Sequence, residues 1–513
     1  MGRYSELVER PATELRRMIG NRQVSPVELV DACIARIEAV NPFVNAMAAV
    51  DYEAARAAAR AAENAVMQRE ALGVLHGLPL GVKDLEATAG LRTTLGSPIY
   101  KDFVPIEDGL VVARLRSAGA IVVGKTNVPE LGAGGNTRNP VWGATGNPFN
   151  PTLTAGGSSG GSAAALACDM LPLCTGSDTG GSLRVPASVC GVVGFRPSPG
   201  LVPSPRKVLG WTPISVLGPM GRNVPDTRLQ LAACAGMDSQ DPLSYPVSIE
   251  DLLRVREVDL SSLKVGWTED FGICAVDEQI VSAFRAKIDA MSSLFGQCER
   301  ITVDLRDSHR AFDVIRAESF VAGLRDMYEK DPDSLGPNPR ANYEAAATMT
   351  LGDAAWAHHA QTEIMRRFQQ LYRHFDVILS PTTPLTPFPW ENLFPHSVSG
   401  EAQTNYYRWL SLTYVITLCT NPVVTLPCGV DRSGMPFGLQ VIGPFRNDAR
   451  TLDIAQAMES AFASNAALSR PRPDLQGLAT TGARAQLKSI VTSPPDARAQ
   501  PISGERKCGT SLV

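Results

Sequence analysis

Three side chains in the first half of the sequence could together perform nucleophilic catalysis. Lys83 follows a short apolar segment, Ser158 lies in a run of glycine and serine, and Ser182 lies in a second glycine-rich run. A serine hydroxyl is a weak nucleophile until a base takes its proton. Lysine can be that base only when burial and neighbouring donors lower its pKa from about 10.4. Each segment alone could be an ordinary strand end or loop, but together they indicate a serine nucleophile with a lysine base.

Four ordered motifs contain or accompany these residues. They read Gly-Val-Lys-Asp at 81–84, Gly-Lys-Thr-Asn at 124–127, Gly-Gly-Ser-Ser-Gly-Gly-Ser at 156–162 and Asp-Thr-Gly-Gly-Ser-Leu-Arg-Val-Pro-Ala at 178–187. Lys83 precedes Ser158 by 75 residues, and Ser158 precedes Ser182 by 24. In the order and spacing of these motifs the chain resembles the amidase signature family, from about residue 12 to about residue 463.

The resemblance implies a Ser–Ser–Lys triad. Ser182 would be the nucleophile, Ser158 (the family's cis-peptide serine) the proton bridge, and Lys83 the general base. The backbone N–H groups that would form an oxyanion hole belong to Thr179, Gly180, Gly181 and Ser182. The residues that the resemblance places around this centre are Asp178, Ser159 and Arg184 as supports and Gly132 near the substrate.

The reaction implied by the resemblance is hydrolysis of a carboxylic amide, or of a related aryl amide, carbamate or ester. An acyl-enzyme opened by water would release an acid together with an amine or ammonia. This chemistry needs no metal and no organic cofactor, and its partner is a small amide-type molecule. The identity of the substrate stays open, and so does the choice between a monomer and a homodimer.

A second type of protein within the same family is the glutaminase (A) subunit of a tRNA-dependent amidotransferase. That type usually carries Gln after the Arg of the nucleophile motif, followed by a segment similar to Tyr-Gly-Arg-Val-Ser. This chain has Val185 at the first position and Ser-Pro-Gly-Leu-Val-Pro at 198–203. Both departures favour a free-standing amidase, and the amidotransferase subunit is kept as the alternative.

Two further motifs suggest other functions. Residues 119–126 match the Walker A pattern, but the four residues between its glycines favour a strand, and Pro129 stands where the phosphate-binding helix should run. The G-x-S-x-G pattern of a nucleophile elbow is centred on Ser158 and again on Ser159, yet residues 147–151 before it do not resemble a strand. A nucleotide-binding protein therefore remains only a remote alternative.

The composition argues against several other function classes. Lys and Arg total 48 and Asp and Glu total 52, a net charge of −4, which gives no general attraction to nucleic acid or to an anionic membrane. Six histidines without a Cys/His cluster argue against a metal centre. Ten scattered cysteines and an N terminus without an apolar leader indicate reduced thiols and a cytoplasmic protein.

One uncharged stretch, residues 409–430, is long enough to cross a bilayer. Prolines interrupt it at Pro422 and Pro427, and a spanning helix seldom carries two such breaks. We predict instead a buried helix at 409–420 followed by a buried strand at 422–426, with no membrane association.

The alternation of strand and helix patterns predicts an α/β fold. Ser25, Pro26 and Glu28 form a capping box that starts a helix, and Asn41-Pro42 is expected to stop it. The resemblance implies a single α/β/α domain, with a large mixed central sheet covered by helices on both faces. Within it we predict an N-terminal helical part at 1–70, the catalytic core at 71–465 and a flexible C-terminal tail at 466–513.

Aromatic residues lie in two segments between the shared motifs. Residues 203–217 include Trp211, and residues 310–354 include Phe312, Phe320, Tyr328 and Tyr343. Such side chains either fill the core or line a substrate pocket, and the sequence leaves that choice open.

Overall fold

An eleven-stranded mixed sheet forms the centre of the protein. The computed structural model describes residues 6–478 and 486–496. The strands, in chain order, are β1 (Met47–Val50), β2 (Pro79–Lys83), β3 (Ile121–Thr126), β4 (Arg138–Asn139), β5 (Gly143–Ala144), β6 (Gly146–Asn147), β7 (Asn150–Thr154), β8 (Leu173–Asp178), β9 (Val193–Arg196), β10 (Val216–Gly221), β11 (Lys264–Trp267), β12 (Gln297–Arg300), β13 (Val377–Pro381), β14 (Ser397–Val398), β15 (Glu401–Ala402), β16 (Val423–Val430) and β17 (Pro436–Ile442). The order across the central sheet is β1-β3-β2-β8-β10-β9-β16-β17-β13-β11-β12, and the remaining strands form two-stranded ribbons.

Helices cover both faces of this sheet, which confirms the predicted α/β class. In chain order they are α1 (Ala12–Gly20), α2 (Pro26–Val44), α3 (Tyr52–Met67), α4 (Leu110–Ser117), α5 (Gly160–Ala167), α6 (Arg184–Cys190), α7 (Val224–Cys234), α8 (Ile249–Leu253), α9 (Glu278–Met291), α10 (Ser308–Lys330), α11 (Pro337–Ala345), α12 (Leu351–Gln369), α13 (Ser411–Cys419), α14 (Asp448–Phe462) and α15 (Leu475–Leu478). Every residue of β2, β8 and β13 is buried, as expected of strands covered on both faces.

The pairing of β2 with β8 brings two of the sequence motifs to one edge of the sheet. The two strands run parallel, with Leu80 opposite Leu173. Because the carboxyl ends of parallel strands meet at the same edge, Lys83 at the end of β2 lies beside Ser177 and Asp178 at the end of β8.

The glycines of the first serine motif allow α5 to approach the sheet closely. A side chain at Gly161 would place its Cβ atom 2.2 Å from the backbone nitrogen of Asn127, nearer than such atoms can pack. Glycine at this position therefore lets the helix lie directly against the end of β3, with Ser158 just before its first turn.

The start of α2 confirms the predicted capping box. Ser25 Oγ accepts from the backbone nitrogen of Val27 at 3.0 Å, and Glu28 Oε2 accepts from the backbone nitrogen of Ser25 at 3.1 Å. The predicted stop at Asn41-Pro42 is wrong, because α2 continues to Val44. A proline in the last turn removes only one hydrogen bond, and the helix ends where Asn45 adopts a left-handed conformation with φ 51°.

The uncharged stretch at 409–430 folds as a short helix and a strand. α13 covers Ser411–Cys419, a 3₁₀ turn precedes it at Arg408–Leu410, and β16 follows. Across residues 6–478 and 486–496, no helix is both long and apolar enough to span a membrane.

The Walker-like segment folds as the strand β3, as predicted, and not as a phosphate-binding loop. Lys125 is fully buried, and its Nζ donates to Thr88 Oγ1 at 2.9 Å and to the carbonyl oxygen of Glu86. A lysine held in this way cannot reach a bound phosphate, so this segment supports the sheet.

The prediction that residues 147–151 contain no strand is wrong. β6 and β7 pair there as an antiparallel ribbon, because Asn147 Oδ1 accepts from the backbone nitrogen of Phe149 and turns the chain back. This ribbon is not part of the central sheet. The buried strand that a nucleophile elbow requires before its serine therefore does not lead into Ser158.

The described part of the predicted tail packs against the rest of the protein. Leu468, Leu478 and Leu487 are buried, and the backbone nitrogen of Thr492 donates to the carbonyl oxygen of Pro140 at 3.0 Å. Other residues of that tail, 479–485 and 497–513, lie outside the described residues, as do residues 1–5 at the N terminus. The division at residues 70 and 465 stays a prediction.

Candidate active site

Lys83 is a fully buried lysine at the carboxyl end of β2. Its Nζ atom donates to Ser158 Oγ at 2.8 Å and to Ser177 Oγ at 2.7 Å. Burial lowers the pKa of Lys83 to about 7, although the carboxylates of Glu86 and Asp178 act in the opposite direction. With that pKa a large fraction of the amine is neutral near pH 7 and can accept a proton.

Ser158 lies between this lysine and the cavity. The peptide bond between Gly157 and Ser158 is cis. The serine is 2% exposed, and it lines the same cavity as Ser177 and Ser182. Its hydroxyl is therefore in contact with the buried base on one side and with the space available to a substrate on the other.

Ser177 is a partner of the lysine that the sequence motifs did not identify. It lies near the end of β8, two residues after Thr175, whose Oγ1 accepts from the backbone nitrogen of Lys83 at 2.8 Å. Side chains two apart on a strand point to the same face. That alternation, applied to β8, is the signal that could have placed both hydroxyl groups beside Lys83.

Ser182 lines the cavity with a partly exposed side chain, whereas its neighbours Gly181 and Leu183 are buried. The space between the lining atoms is about 460 Å³ when the part open to solvent is included, but the volume that the centre of a water-sized sphere can occupy is only about 20 Å³, so the cavity is narrow in this structure. Among the described residues, Ser158 and Ser182 form no side-chain hydrogen bond with each other. Contacts of this kind are often loose before a substrate binds and tighten in the complex.

The carboxylate of Asp178 organises the turn that carries Ser182. It accepts from the backbone nitrogens of Gly181 at 3.0 Å and Leu183 at 3.2 Å, and from Arg184 Nε at 2.9 Å. Burial acts to raise the pKa of Asp178, but Arg184 and Arg196 outweigh it and hold this pKa below its usual range. Asp178 is therefore ionised, and it ties the turn to two buried guanidinium groups.

Gly181 must be glycine for the turn to form. Its φ is +128°, and an added Cβ atom would lie 2.3 Å from Thr413 Oγ1. A side chain would therefore be strained by the backbone conformation and would collide with Thr413 on α13.

The four predicted oxyanion-hole residues do not have equivalent surroundings. Thr179, Gly180 and Ser182 line the cavity, and their backbone N–H groups donate to no group within the described residues. Gly181 does not line it, and its N–H already donates to Asp178. The first three are the better-placed donors, and a direct contribution from Gly181 stays a prediction.

The other residues expected near the centre lie close to it. Ser159 Oγ accepts from the backbone nitrogen of Ser177 at 3.5 Å, and the backbone nitrogen of Ser159 donates to the carbonyl oxygen of Ser182 at 3.2 Å. Gly132 lines the cavity, and its N–H donates to the carbonyl oxygen of Pro129 at 3.0 Å. The N–H group of Gly132 is therefore already hydrogen-bonded within the protein and is not available to a substrate there.

The wall of the cavity also contains residues that no motif marked. They are Leu131, Arg316, Phe320, Tyr406, Tyr407 and Leu410. Of the aromatic residues considered in the sequence, Phe320 lies in this wall and Phe312 is buried behind it. Trp211 is 79% exposed and does not line the cavity.

The described residues contain no group of three or more His, Cys, Asp or Glu side chains that could hold a metal ion. The cavity is instead lined by three serine hydroxyls, with the amine of Lys83 behind them. Such a site is suited to proton transfer from a serine to a lysine.

Residues 28–452 match the model of the amidase family, which is well over half of the chain. The chain therefore belongs to the amidase family, whose enzymes carry the amidase signature. This confirms the resemblance noted in the sequence, and it defines the protein as a hydrolase of that family.

Known relatives include proteins of both types considered from the sequence. The A subunit of the glutamyl-tRNA(Gln) amidotransferase of Bacillus licheniformis is 32% identical over 480 residues, which are 89% of this chain and 98% of that subunit. The structure of a bacterial aryl acylamidase of the amidase signature family matches with a TM-score of 0.82 at 26% identity, over 88% of this chain and 96% of that one. A 6-aminohexanoate cyclic dimer hydrolase matches with a TM-score of 0.76 at 26% identity, over 91% and 99% of the two chains.

Proposed function

We propose that this protein is a free-standing amidase that cleaves a carboxylic amide through an acyl-enzyme on Ser182. The observation that carries the proposal is the buried amine of Lys83, which has a pKa of about 7 and donates to Ser158 at the edge of the cavity that contains Ser182. A base with this pKa can take a serine proton near neutral pH.

In the first half-reaction, Ser182 Oγ attacks the amide carbonyl carbon. Its proton passes to Ser158, and the proton of Ser158 passes to the neutral amine of Lys83. The N–H groups of Thr179, Gly180 and Ser182 would stabilise the oxyanion, each such donor contributing on the order of 3 kcal/mol to the transition state. The proton then returns through Ser158 to the leaving nitrogen as the C–N bond breaks.

In the second half-reaction, water replaces the departed amine. Lys83, neutral again, accepts a proton from this water through Ser158 while the water oxygen attacks the ester carbon. The bond from that carbon to Ser182 Oγ then breaks, and Ser182 regains a proton. The products are a carboxylic acid and an amine or ammonia. Aryl amides, carbamates and esters present the same electrophilic carbon and could react in the same way.

A fluorophosphonate probe tests this assignment by intact-protein mass. The unmodified chain should gain one adduct, and peptide mapping should place it on Ser182. Ser182→Ala should gain none, while Ser158→Ala, Lys83→Ala and Ser177→Ala should react more slowly because proton removal is impaired. An amide, anilide, carbamate and ester panel then defines the bond cleaved. An adduct on Ser159, or labelling that survives in Ser182→Ala, would refute the proposed nucleophile.

A glutaminase subunit is the second candidate. Amidotransferase A subunits align with 87–89% of this chain, and about one-third of the aligned residues are identical. Val185 and residues 198–203 depart from the motifs typical of those subunits, which supports the free-standing enzyme. The two candidates differ in a measurable way. A free-standing amidase should hydrolyse simple amides as an isolated chain, whereas a glutaminase subunit should prefer glutamine and respond to added partner subunits and tRNA.

A further inference from the structure

Among residues 6–478 and 486–496, Arg316 is the one charged side chain that lines the cavity. It lies on α10, in a row with Phe312 and Phe320, each four residues apart, so all three point to the same face of the helix. The row is buried, and Arg316 itself is only 7% exposed. A cation in the middle of an otherwise apolar row is unusual, because a buried charge is costly unless something compensates it.

The surroundings of Arg316 compensate its charge only in part. Nε donates to Asn342 Oδ1 at 3.0 Å, and one terminal nitrogen donates to the hydroxyl of Tyr406. Both acceptors are uncharged. The guanidinium also lies 4.8 Å from the ring centre of Phe320 and 5.1 Å from that of Tyr407, distances at which aromatic faces attract cations.

Within the described part of the chain, no carboxylate forms an ion pair with Arg316. Asp313, one turn earlier on the same helix, is paired with Arg408 at 2.6 Å. Arginine has five N–H donors in a planar fork that matches a carboxylate, and the two bonds above leave the other terminal nitrogen free to bind a ligand. The positive charge is thus buried at the wall of the substrate cavity with donors to spare.

We propose that Arg316 binds a carboxylate of the substrate, so that the amide cleaved here belongs to a molecule that also carries an anionic group. This inference rests on the proposed amidase function of the same cavity. It adds a substrate class and a specificity residue to that function. The aromatic residues around the guanidinium would exclude water from the ion pair and so strengthen it.

Matched substrates test the inference in the unmodified enzyme. Succinamate and succinamide differ only in whether the far end is a carboxylate or a carboxamide, and so do glutaramate and glutaramide. We expect kcat/KM, measured by ammonia release, to be higher for the anionic member of at least one pair by about 10- to 100-fold, the range that hydrogen bonds to a charged group support. Glutamine is included, because it is glutaramate with an added ammonium group.

Variants separate substrate binding from a structural role. Arg316→Gln should lower the ratio of kcat/KM for the anionic amide to kcat/KM for the neutral amide by the same factor, while Arg316→Lys should keep part of the preference. Arg325→Gln is the matched control, because Arg325 lies on the same helix with its side chain 61% exposed. Fluorophosphonate labelling of Ser182 in each variant reports whether the nucleophile is still assembled.

The outcomes are distinguishable. Labelling at Ser182 together with an anionic preference that disappears in Arg316→Gln supports the inference. Labelling without any anionic preference overturns it and leaves the amidase function standing. The inference is also overturned, and the amidase function left standing, if Ser182 is labelled but no anionic amide is hydrolysed and neither succinate nor glutarate slows the labelling. Absence of labelling at Ser182 refutes the amidase function, and the inference fails with it.

Discussion

The pKa of Lys83 sets the pH at which the proposed site can work. Burial lowers that pKa to about 7, so the amine is mostly protonated below pH 6 and mostly neutral above pH 8. Only the neutral form can accept the serine proton. The pH dependence of the reaction rate can therefore test the role of Lys83, because an exposed lysine would lose its proton several pH units higher.

We expect the rate of fluorophosphonate labelling at Ser182 to rise about tenfold per pH unit below pH 7 and to level off above about pH 8. Lys83→Ala should react slowly at all these pH values and lose the rise. Lys264→Ala, which changes an exposed lysine on β11, is the control and should keep the full profile. A profile of the unmodified protein that still rises at pH 9 would show that Lys83 is not the base.

At the level of single elements, the start of α2 tests how much one helix cap contributes. Ser25 accepts from the backbone of Val27, and its hydroxyl also donates to Glu63 on α3 at 2.5 Å. The cap therefore starts α2 and also links it to α3.

Ser25→Ala should lower the free energy of unfolding by about 1 kcal/mol, the usual contribution of an N-cap. Ser25→Thr keeps the hydroxyl and should lose much less. Urea unfolding of the three proteins at pH 7 measures the difference, and the rate of Ser182 labelling should be equal in all of them. Equal stability of Ser25→Ala and the unmodified protein would show that the cap contributes little.

At the level of the whole molecule, the C-terminal segment contributes its own small core. Leu487 is 1% exposed and packs with Ala144 and Trp390 far from its place in the sequence. Its carbonyl oxygen also lies so close to Gly143 that a side chain there would collide with it. The segment thus fits a specific groove on the catalytic core.

Leu487→Ala should cost about 2 kcal/mol of unfolding free energy, the lower end for a buried leucine because the cluster is small. Lys488→Ala changes the exposed neighbour and should cost little. Thermal unfolding measures both, and Ser182 labelling should be unaffected. No loss of stability in Leu487→Ala would mean that this segment does not dock on the protein in solution.

The sequence offered candidates for the centre of the site but not for the wall of its cavity. The resemblance of their motifs to those of the family singled out Lys83 and Ser158, whose side chains lie 2.8 Å apart in the structure, and their catalytic roles stay a prediction. Arg316 could not be found in this way, because it meets the cavity only after α10 packs against the helices α12 and α13. A charge within the apolar row of Phe312 and Phe320 was its only local signal.

The fold shows the same division between local and tertiary information. The strand predicted between the glycines of the Walker-like segment occurs as β3, and the short apolar segment before Lys83 is the strand β2. The ribbon of β6 and β7 was missed, because its residues are polar and its pairing depends on a turn made by Asn147. Patterns of hydrophobicity locate buried strands, whereas short polar ribbons are defined by side-chain hydrogen bonds.

The two ends of the central sheet have a consequence for self-association. The outermost strands, β1 and β12, are only four residues long, and β12 ends in the charged pair Glu299 and Arg300. An unpaired strand edge can recruit the edge of another molecule, and short, charged edges oppose this. Although the sheet has eleven strands, it therefore offers little backbone on which a second sheet could continue, and we expect it to resist growth into fibrils.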